Sequence, residues 1–191
     1  MRIGVVSDTH GYFDPGLRQL FEGVDAIIHA GDVGSRDVLD ELNALASVTA
    51  VKGNVDSLFV DLPPSSKKQF GGIWIETLHI LPAAQGTVEE WRRSGAANCN
   101  RRQTEAFLTC FSPATRIVVF GHSHEPACIT WAGKLFLNPG SAGRKRFSLP
   151  RCCALMDVES GALRVKFEGL EGYNKGVPEE LHIRLEELGS W

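Results

Sequence analysis

The sequence predicts an α/β fold of two packed sheets with helices on the outside, and three observations predict it. Across the first half, strand-length apolar runs alternate with helical patterns in β-α-β-α-β order, which calls for parallel strands joined by helical crossovers. The second half carries three pairs of strand-like runs, separated by Gly71-Gly72, Ala132-Gly133 and Ser160-Gly161, the mark of antiparallel hairpins. Finally, 191 residues at 43% apolar and 23% charged are enough to bury a real core in one domain, expected over residues 1–191.

The elements follow in order. Ile3 to Ser7 reads as a fully buried strand, Leu17 to Phe21 as a short helix and Asp25 to His29 as a second strand. Val38 to Leu45 has helical spacing and follows Ser35, a residue type suited to the N-cap. Val48 to Val51 is a third short strand. The first hairpin pairs Lys67 to Phe70 with Ile73 to Leu78. Glu89 to Arg93 and Thr104 to Phe111 read as helical, and Ile117 to Phe120 as another buried strand. The second hairpin pairs Cys128 to Trp131 with Lys134 to Leu137, and the third Ala154 to Val158 with Leu163 to Glu168. Residues 82 to 103 are poorly patterned and read as a loop over the site or an irregular helix.

Composition narrows the function classes. A net charge of −3 without long runs of one sign disfavours a nucleic-acid binder. The N-terminal apolar stretch is too short for a signal peptide, and no segment has the unbroken apolar length of a membrane span, so a cytoplasmic protein without membrane attachment is expected. The five cysteines (Cys99, Cys110, Cys128, Cys152, Cys153) are odd in number and contain no C-x-x-C pair, which predicts ordinary reduced thiols.

The chemistry lies where strands end. Asp8-Thr9-His10-Gly11 follows the first strand, Gly31-Asp32 the second, Gly53-Asn54-Val55-Asp56 the third, and Gly121-His122-Ser123-His124 the strand Ile117 to Phe120. His79 closes the strand Ile73 to Leu78. Ligands of α/β sheets bind outside the carboxyl ends of strands, and these are the residue types that hold cations. In extended backbone, residues two apart share a face, so Asp8 with His10, and His122 with His124, can each reach one ion. The carboxylate of Asp32 has two oxygens and can bridge two cations. Of the remaining histidines, His29 reads as a core or supporting residue and His182 as surface.

In this order these residues resemble the motifs of calcineurin-like metallophosphoesterases, and most of all the compact YfcE-like phosphodiesterases. Asp56 matches the Asp of that family's Gly-Asn-x-Asp motif, and Asn138-Pro139-Gly140-Ser141 matches its Asn-Pro-Gly-Ser turn. The resemblance runs from Arg2 to about Glu168. It implies a four-layer α/β/β/α sandwich of two mixed sheets. It also implies a first divalent ion on Asp8, His10, Asp32 and His124, and a second on Asp32, Asn54, His79 and His122, with Asp32 shared. Family members use manganese, iron, zinc or nickel, and the His, Asp and Asn donors here suit that set, with manganese first. The sequence departs from the family after His79, where Ile80 stands in place of the usual glycine.

The implied reaction is hydrolysis of a phosphodiester or phosphomonoester by a water activated at two metal ions. His10 and Asp56 are the candidates for positioning or proton transfer, and Asn54, Asn138 and Arg144 for contacts to a small phosphoester substrate. Arg92, Arg93, Arg101, Arg102, Lys145 and Arg146 offer further positive charge. A homo-oligomer is compatible with the sequence. Two other functions share the fold: a protein-interaction scaffold with weak or vestigial metal binding, as for the retromer subunit, and a nuclease.

Overall fold

The computed structural model describes residues 1–57, 61–82, 101–145, 148–170, 177–178 and 180–189, with side chains described from residue 105 in the third helix. The expected helix Glu89 to Arg93, the arginines Arg92, Arg93 and Arg146, and Cys99 lie outside the described residues, as do the side chains of Arg101 and Arg102.

Two mixed sheets form. The first holds β1 (Arg2–Val6), β2 (Ala26–His29), β3 (Val48–Ala50), β9 (Cys152–Glu159), β10 (Ala162–Gly169) and β11 (Leu181–Arg184), in the order β11-β10-β9-β1-β2-β3. The second holds β4 (Ser65–Phe70), β5 (Ile73–Leu78), β6 (Thr115–Val119), β7 (Ala127–Trp131) and β8 (Lys134–Asn138), in the order β4-β5-β6-β8-β7. The helices are α1 (Gly16–Leu20), α2 (Arg36–Asn43) and α3 (Arg101–Leu108). Ser35 takes the extended N-cap conformation before α2, but its hydroxyl makes no capping bond.

Strand alternation produces the layers. Side chains along a strand point to opposite faces in turn. Ile3 and Val5 of β1, Ala26 and Ile28 of β2, Ile117 and Val119 of β6, and Leu135 and Leu137 of β8 meet in one core between the sheets. The intervening Val6 and Ile27 face the other way, packing with Leu17 and Phe21 of the α1 region and with Val38 and Leu42 of α2. On the far side of the second sheet, Val118 and Phe136 pack with Phe107 of α3, Phe111 and Trp131. Three apolar interfaces separate four layers, so the arrangement is the expected α/β/β/α sandwich.

The halves of the chain map onto the sheets less simply than the sequence suggests. The second half is not purely antiparallel, because β5, β6 and β8 run parallel to one another. Hairpin signals report only local pairs, and the β5-to-β6 connection carries α3 as a crossover helix. The third hairpin leaves the second sheet altogether, since β9 pairs antiparallel with β1 at the centre of the first. Strand β11 is an element that the sequence reading passes over. Only Leu181 and Ile183 alternate there with His182 and Arg184, and four residues amid charge carry little periodicity.

The buried Cys152 and Cys153 thiols are pushed up by burial, Cys152 to about 12, which keeps them protonated and unreactive. No helix among the described residues is long and apolar enough to cross a membrane.

Candidate metal centre

The parallel strands of both sheets deliver their carboxyl ends to one place. Asp8 follows β1, Asp32 follows β2, Asn54 follows β3, His79 follows β5, and His122 and His124 follow β6. Backbone hydrogen bonds lock these loops together: Asp8 N to Gly31 O (3.0 Å), His10 N to Asp32 O (2.9 Å) and Gly121 N to His79 O (3.1 Å). The two sheets are joined across the site where His122 N donates to Asp8 Oδ2 over 3.1 Å.

Seven ligand-type side chains predicted from the sequence converge. Nε2 of His124 lies 3.2 Å from Asp8 Oδ1 and 3.2 Å from His10 Nε2. Asp32 Oδ2 is 3.8 Å from His10 Nε2, and its Oδ1 is 3.3 Å from His79 Nε2. Asn54 Oδ1 is 3.0 Å from His79 Nε2 and 3.1 Å from His122 Nδ1. Asp32 thus faces a histidine with each oxygen, one from each half of the cluster. Asp8 also reaches both halves, since its Oδ1 is 4.0 Å from His79 Nε2. Ile80 does not remove His79 from the cluster: the imidazole is 3% exposed and its Nδ1 is 2.8 Å from Ala30 O.

The donor chemistry fits a bound cation. Asp8 Oδ1 is buried and accepts no hydrogen bond, although three imidazoles surround it. A carboxylate taken from water without a compensating charge is costly. The carbonyl of Ala30 can only accept, so His79 Nδ1 carries a proton; a neutral ring would then turn a lone pair on Nε2 toward oxygens of Asp32 and Asn54, a repulsion that either a second proton on Nε2 or a cation relieves. A ring whose outer nitrogen is held by a carbonyl is the usual arrangement of a metal-ligating histidine. Likewise two neutral rings cannot both turn lone pairs inward at the His10–His124 separation without repulsion. A cation among these groups would convert each conflict into a ligand bond.

The charge state of the cluster shows the same pull. Burial works against the Asp32 carboxylate, but hydrogen bonds from His79 and from Val55 N, with the nearby His79 and His10 rings, bring its pKa down to about 2. Burial opposes the His79 imidazolium too, yet Asp32 and Asp8 together raise its pKa above the usual histidine value.

The backbone is strained at the cluster. Six described non-glycine residues have positive φ, and five are Asp8 (53°), His10 (49°), Asp32 (54°), His122 (70°) and His124 (59°). Each such conformation costs about 1–3 kcal/mol and tends to persist at functional sites. It also corrects the sequence reading, which has Asp8 and His10 sharing a face through extended backbone; they converge through two left-handed residues instead, as do His122 and His124. Two glycines permit the close packing. A Cβ on Gly53 would sit 2.1 Å from Asp32 N and Oδ1, and one on Gly121 would sit 2.0 Å from Ser7 Oγ and 2.7 Å from Asp8 Oδ2.

Three other predicted site residues fall outside the cluster. Asp56 is fully buried, and its carboxylate accepts from Val33 N (3.1 Å), Gly34 N (2.8 Å) and Gly53 N (2.8 Å). It ties the loop after β3 to the loop after β2, and with both oxygens engaged it is not placed to move a substrate proton. Asn138 is fully buried too. Its amide donates to Gly121 O and Ser123 Oγ and accepts from Gly140 N, which leaves it anchoring the His122–His124 loop rather than touching substrate. Arg144 is exposed, its guanidinium 4.7 Å from the Tyr12 ring centre, beside Gly143, whose N donates to Asp8 O.

Several supporting residues carry no motif signal and escape a sequence reading. Ser7 Oγ donates to Asp8 Oδ2 over 2.6 Å, which turns Oδ1 toward the histidines. Thr9 Oγ1 donates to Val33 O and lies 2.9 Å from His29 Nε2, so the proton on His29 sits on Nε2. His29 therefore holds the Asp8–His10 loop, the supporting role its place in an apolar strand predicts. Arg151 binds Asp14 in a buried ion pair and donates through Nε to Gly143 O, which seats the Gly143 turn on Asp8 O.

Known proteins resemble this chain in sequence and in fold. The calcineurin-like phosphoesterase superfamily domain matches residues 1–161. A probable metallophosphoesterase of Methanocaldococcus jannaschii is 33% identical over 160 residues, covering 80% of this chain and 71% of that protein. Among solved structures, Vps29 of Chaetomium thermophilum superposes with a TM-score of 0.72 at 20% identity, over 96% of this chain and 95% of that one. The phosphoesterase YfcE of E. coli superposes with a TM-score of 0.57 at 20% identity, over 95% of this chain and 98% of that one. The strand-end cluster and the match over most of its length agree: the chain belongs to the calcineurin-like phosphoesterase superfamily.

Proposed function

We propose that this protein is a metal-dependent phosphoric ester hydrolase that holds two divalent ions side by side. The observation that carries the reading is the buried, unpaired Asp8 Oδ1 ringed by imidazole nitrogens at the meeting point of both sheets. Asp8, His10, Asp32 and His124 would hold one ion, and Asp32, Asn54, His79 and His122 the other. The two-sided approach of His10 and His79 to the Asp32 carboxylate supports sharing. Manganese suits this mixed oxygen and nitrogen set, as do iron, zinc and nickel.

Held by these residues, divalent cations would supply a water nucleophile near neutral pH and would neutralise charge growing on the phosphoryl oxygens. The chain does the rest. Asp8 and Asp32 bring two negative charges against four from the cations, so the site stays positive and favours an anionic phosphodiester or phosphomonoester. His10 Nε2 faces Asp32 and His124 within the cluster, so its role is to hold a cation rather than to carry a substrate proton. Asp56 and Asn138 keep the loops in register.

The test is hydrolysis of bis-p-nitrophenyl phosphate and p-nitrophenyl phosphate by chelator-stripped protein resupplied with manganese. Activity that returns with metal and vanishes in Asp32→Ala supports the reading; no metal-dependent activity on either ester removes it. A scaffold reading is favoured by one observation, the exposure of the apolar Val55 and Ile80 beside the cluster. Calorimetric titration with manganese separates the two, because a scaffold that has lost its ions binds none at millimolar metal.

A further inference from the structure

Four large apolar side chains are exposed among the described residues: Met1, Val55, Trp74 and Ile80. Two of them directly follow cluster residues, Val55 after Asn54 and Ile80 after His79. Ile80 is 42% exposed, while His79 beside it is 3% exposed. Isolated exposed hydrophobes need no explanation, but Ile80 is not isolated. It lines a groove of about 380 Å³ together with Leu78 and Pro64, and Asn54 and His79 line the same groove. Apolar side chains therefore line a depression that also reaches Asn54 and His79, of the size that small organic ligands occupy.

We propose that this groove is the subsite for the organic group of the phosphoester, and that it selects a compact apolar group, an aryl ring or branched alkyl chain, over a small or strongly polar one. The inference rests on the phosphoester reading above. A phosphoryl group held at the cluster beside Asn54 and His79 has its ester oxygen at the mouth of the groove, and the substituent on that oxygen meets Leu78, Pro64 and Ile80. Few groups in this lining match the multiple hydroxyls of a sugar: besides the two cluster residues, only Lys52 and Ser65 carry polar side chains. Burying one ring against three apolar side chains favours binding by about tenfold or more once ordering costs are met.

Two non-hydrolysable probes test it on the manganese-loaded protein by calorimetry: methylphosphonate and phenylphosphonate, which share the anionic head and differ in the organic group. The expected result is phenylphosphonate binding about tenfold tighter than methylphosphonate, with the ratio falling to about two or less in Ile80→Ser while methylphosphonate affinity is unchanged. Equal affinity for the two probes, or a preference that survives in both Ile80→Ser and Leu78→Ser, overturns the groove and leaves the phosphoester reading standing. If neither probe binds to protein that binds manganese, both fall. Since Ile80 is exposed, Ile80→Ser is not expected to disturb folding, and its melting temperature is the check.

Discussion

Asp8 Oδ1 accepts no hydrogen bond although it is buried, and the nearest imidazole nitrogen, Nε2 of His124, stands 3.2 Å away. Ser7 Oγ and His122 N occupy the other oxygen of the same carboxylate, so the unpaired one is aimed by design of the loop rather than left over. A cation bound there would stabilise the folded chain through binding. At free manganese about a hundred times the dissociation constant, the gain is about 2.7 kcal/mol, or roughly 5–10 °C in melting temperature for a chain of this size. Thermal melts with and without manganese check it, and Asp8→Ala is expected to abolish the shift.

Gly53 packs against both the backbone and the carboxylate of Asp32, where an added methyl would meet atoms at 2.1 Å. Gly53→Ala is therefore expected to destabilise the protein by about 1–3 kcal/mol and to weaken manganese binding at the same time, because relief requires Asp32 to move. Urea melts and a manganese titration on one variant read the two effects together. A variant that loses stability but binds manganese normally would show that Asp32 is not a ligand.

How much of this was legible in the sequence depends on how local the signal is. Gly-Asp, Gly-Asn and Gly-His pairs at strand ends flagged Asp32, Asn54 and His122, because a glycine beside a ligand-type residue marks close backbone approach, while Asp8, His10, His79 and His124 were legible from their places at or just past the ends of apolar strands. The roles of Asp56 and Asn138 were not legible. Each sits inside a family motif, and only the fold shows that Asp56 spends its oxygens on Val33, Gly34 and Gly53, and Asn138 its amide on Gly121, Ser123 and Gly140. Non-local pairing was equally silent. The parallel order of β5, β6 and β8 and the return of β9 to β1 join residues too far apart for periodicity to connect.

The buried pair of Asp14 and Arg151 links α1 to the turn that covers Asp8. Arg151→Met leaves the Asp14 carboxylate buried without its counter-charge, and a loss of about 3–5 kcal/mol is expected. The double substitution Asp14→Leu with Arg151→Met is expected to lose less than Arg151→Met alone, since no uncompensated charge remains. Denaturant unfolding of the three proteins in a double-mutant cycle measures the difference.

His29 is fully buried, and burial lowers its pKa from 6.5 to about 4 in the folded chain, with Asp8 and Asp56 opposing the shift only partly. The unfolded chain binds this proton below about pH 6.5 and the folded chain resists it, so the contribution to stability is complete above 6.5 and is lost as pH falls toward 4. A shift of this size corresponds to about 3 kcal/mol. Metal-free protein is expected to lose about that much between pH 6.5 and 4, and His29→Gln, which keeps a donor for Thr9, to lose far less. Asp32 acts in a separate window, since its folded pKa of about 2 lies below the ordinary 3.8 and its stabilisation disappears only as pH falls below about 4.

In the proposed centre, Asp8, Asp32, Asn54 and four histidines form a cage for two cations with the Asp32 carboxylate between them. Anomalous diffraction at the manganese edge, from crystals grown with manganese, tests it most directly. The account predicts two peaks flanking Asp32, one beside His10 and His124 and one beside His79 and His122. No peak at the cluster, or a single peak that does not touch Asp32, would contradict it.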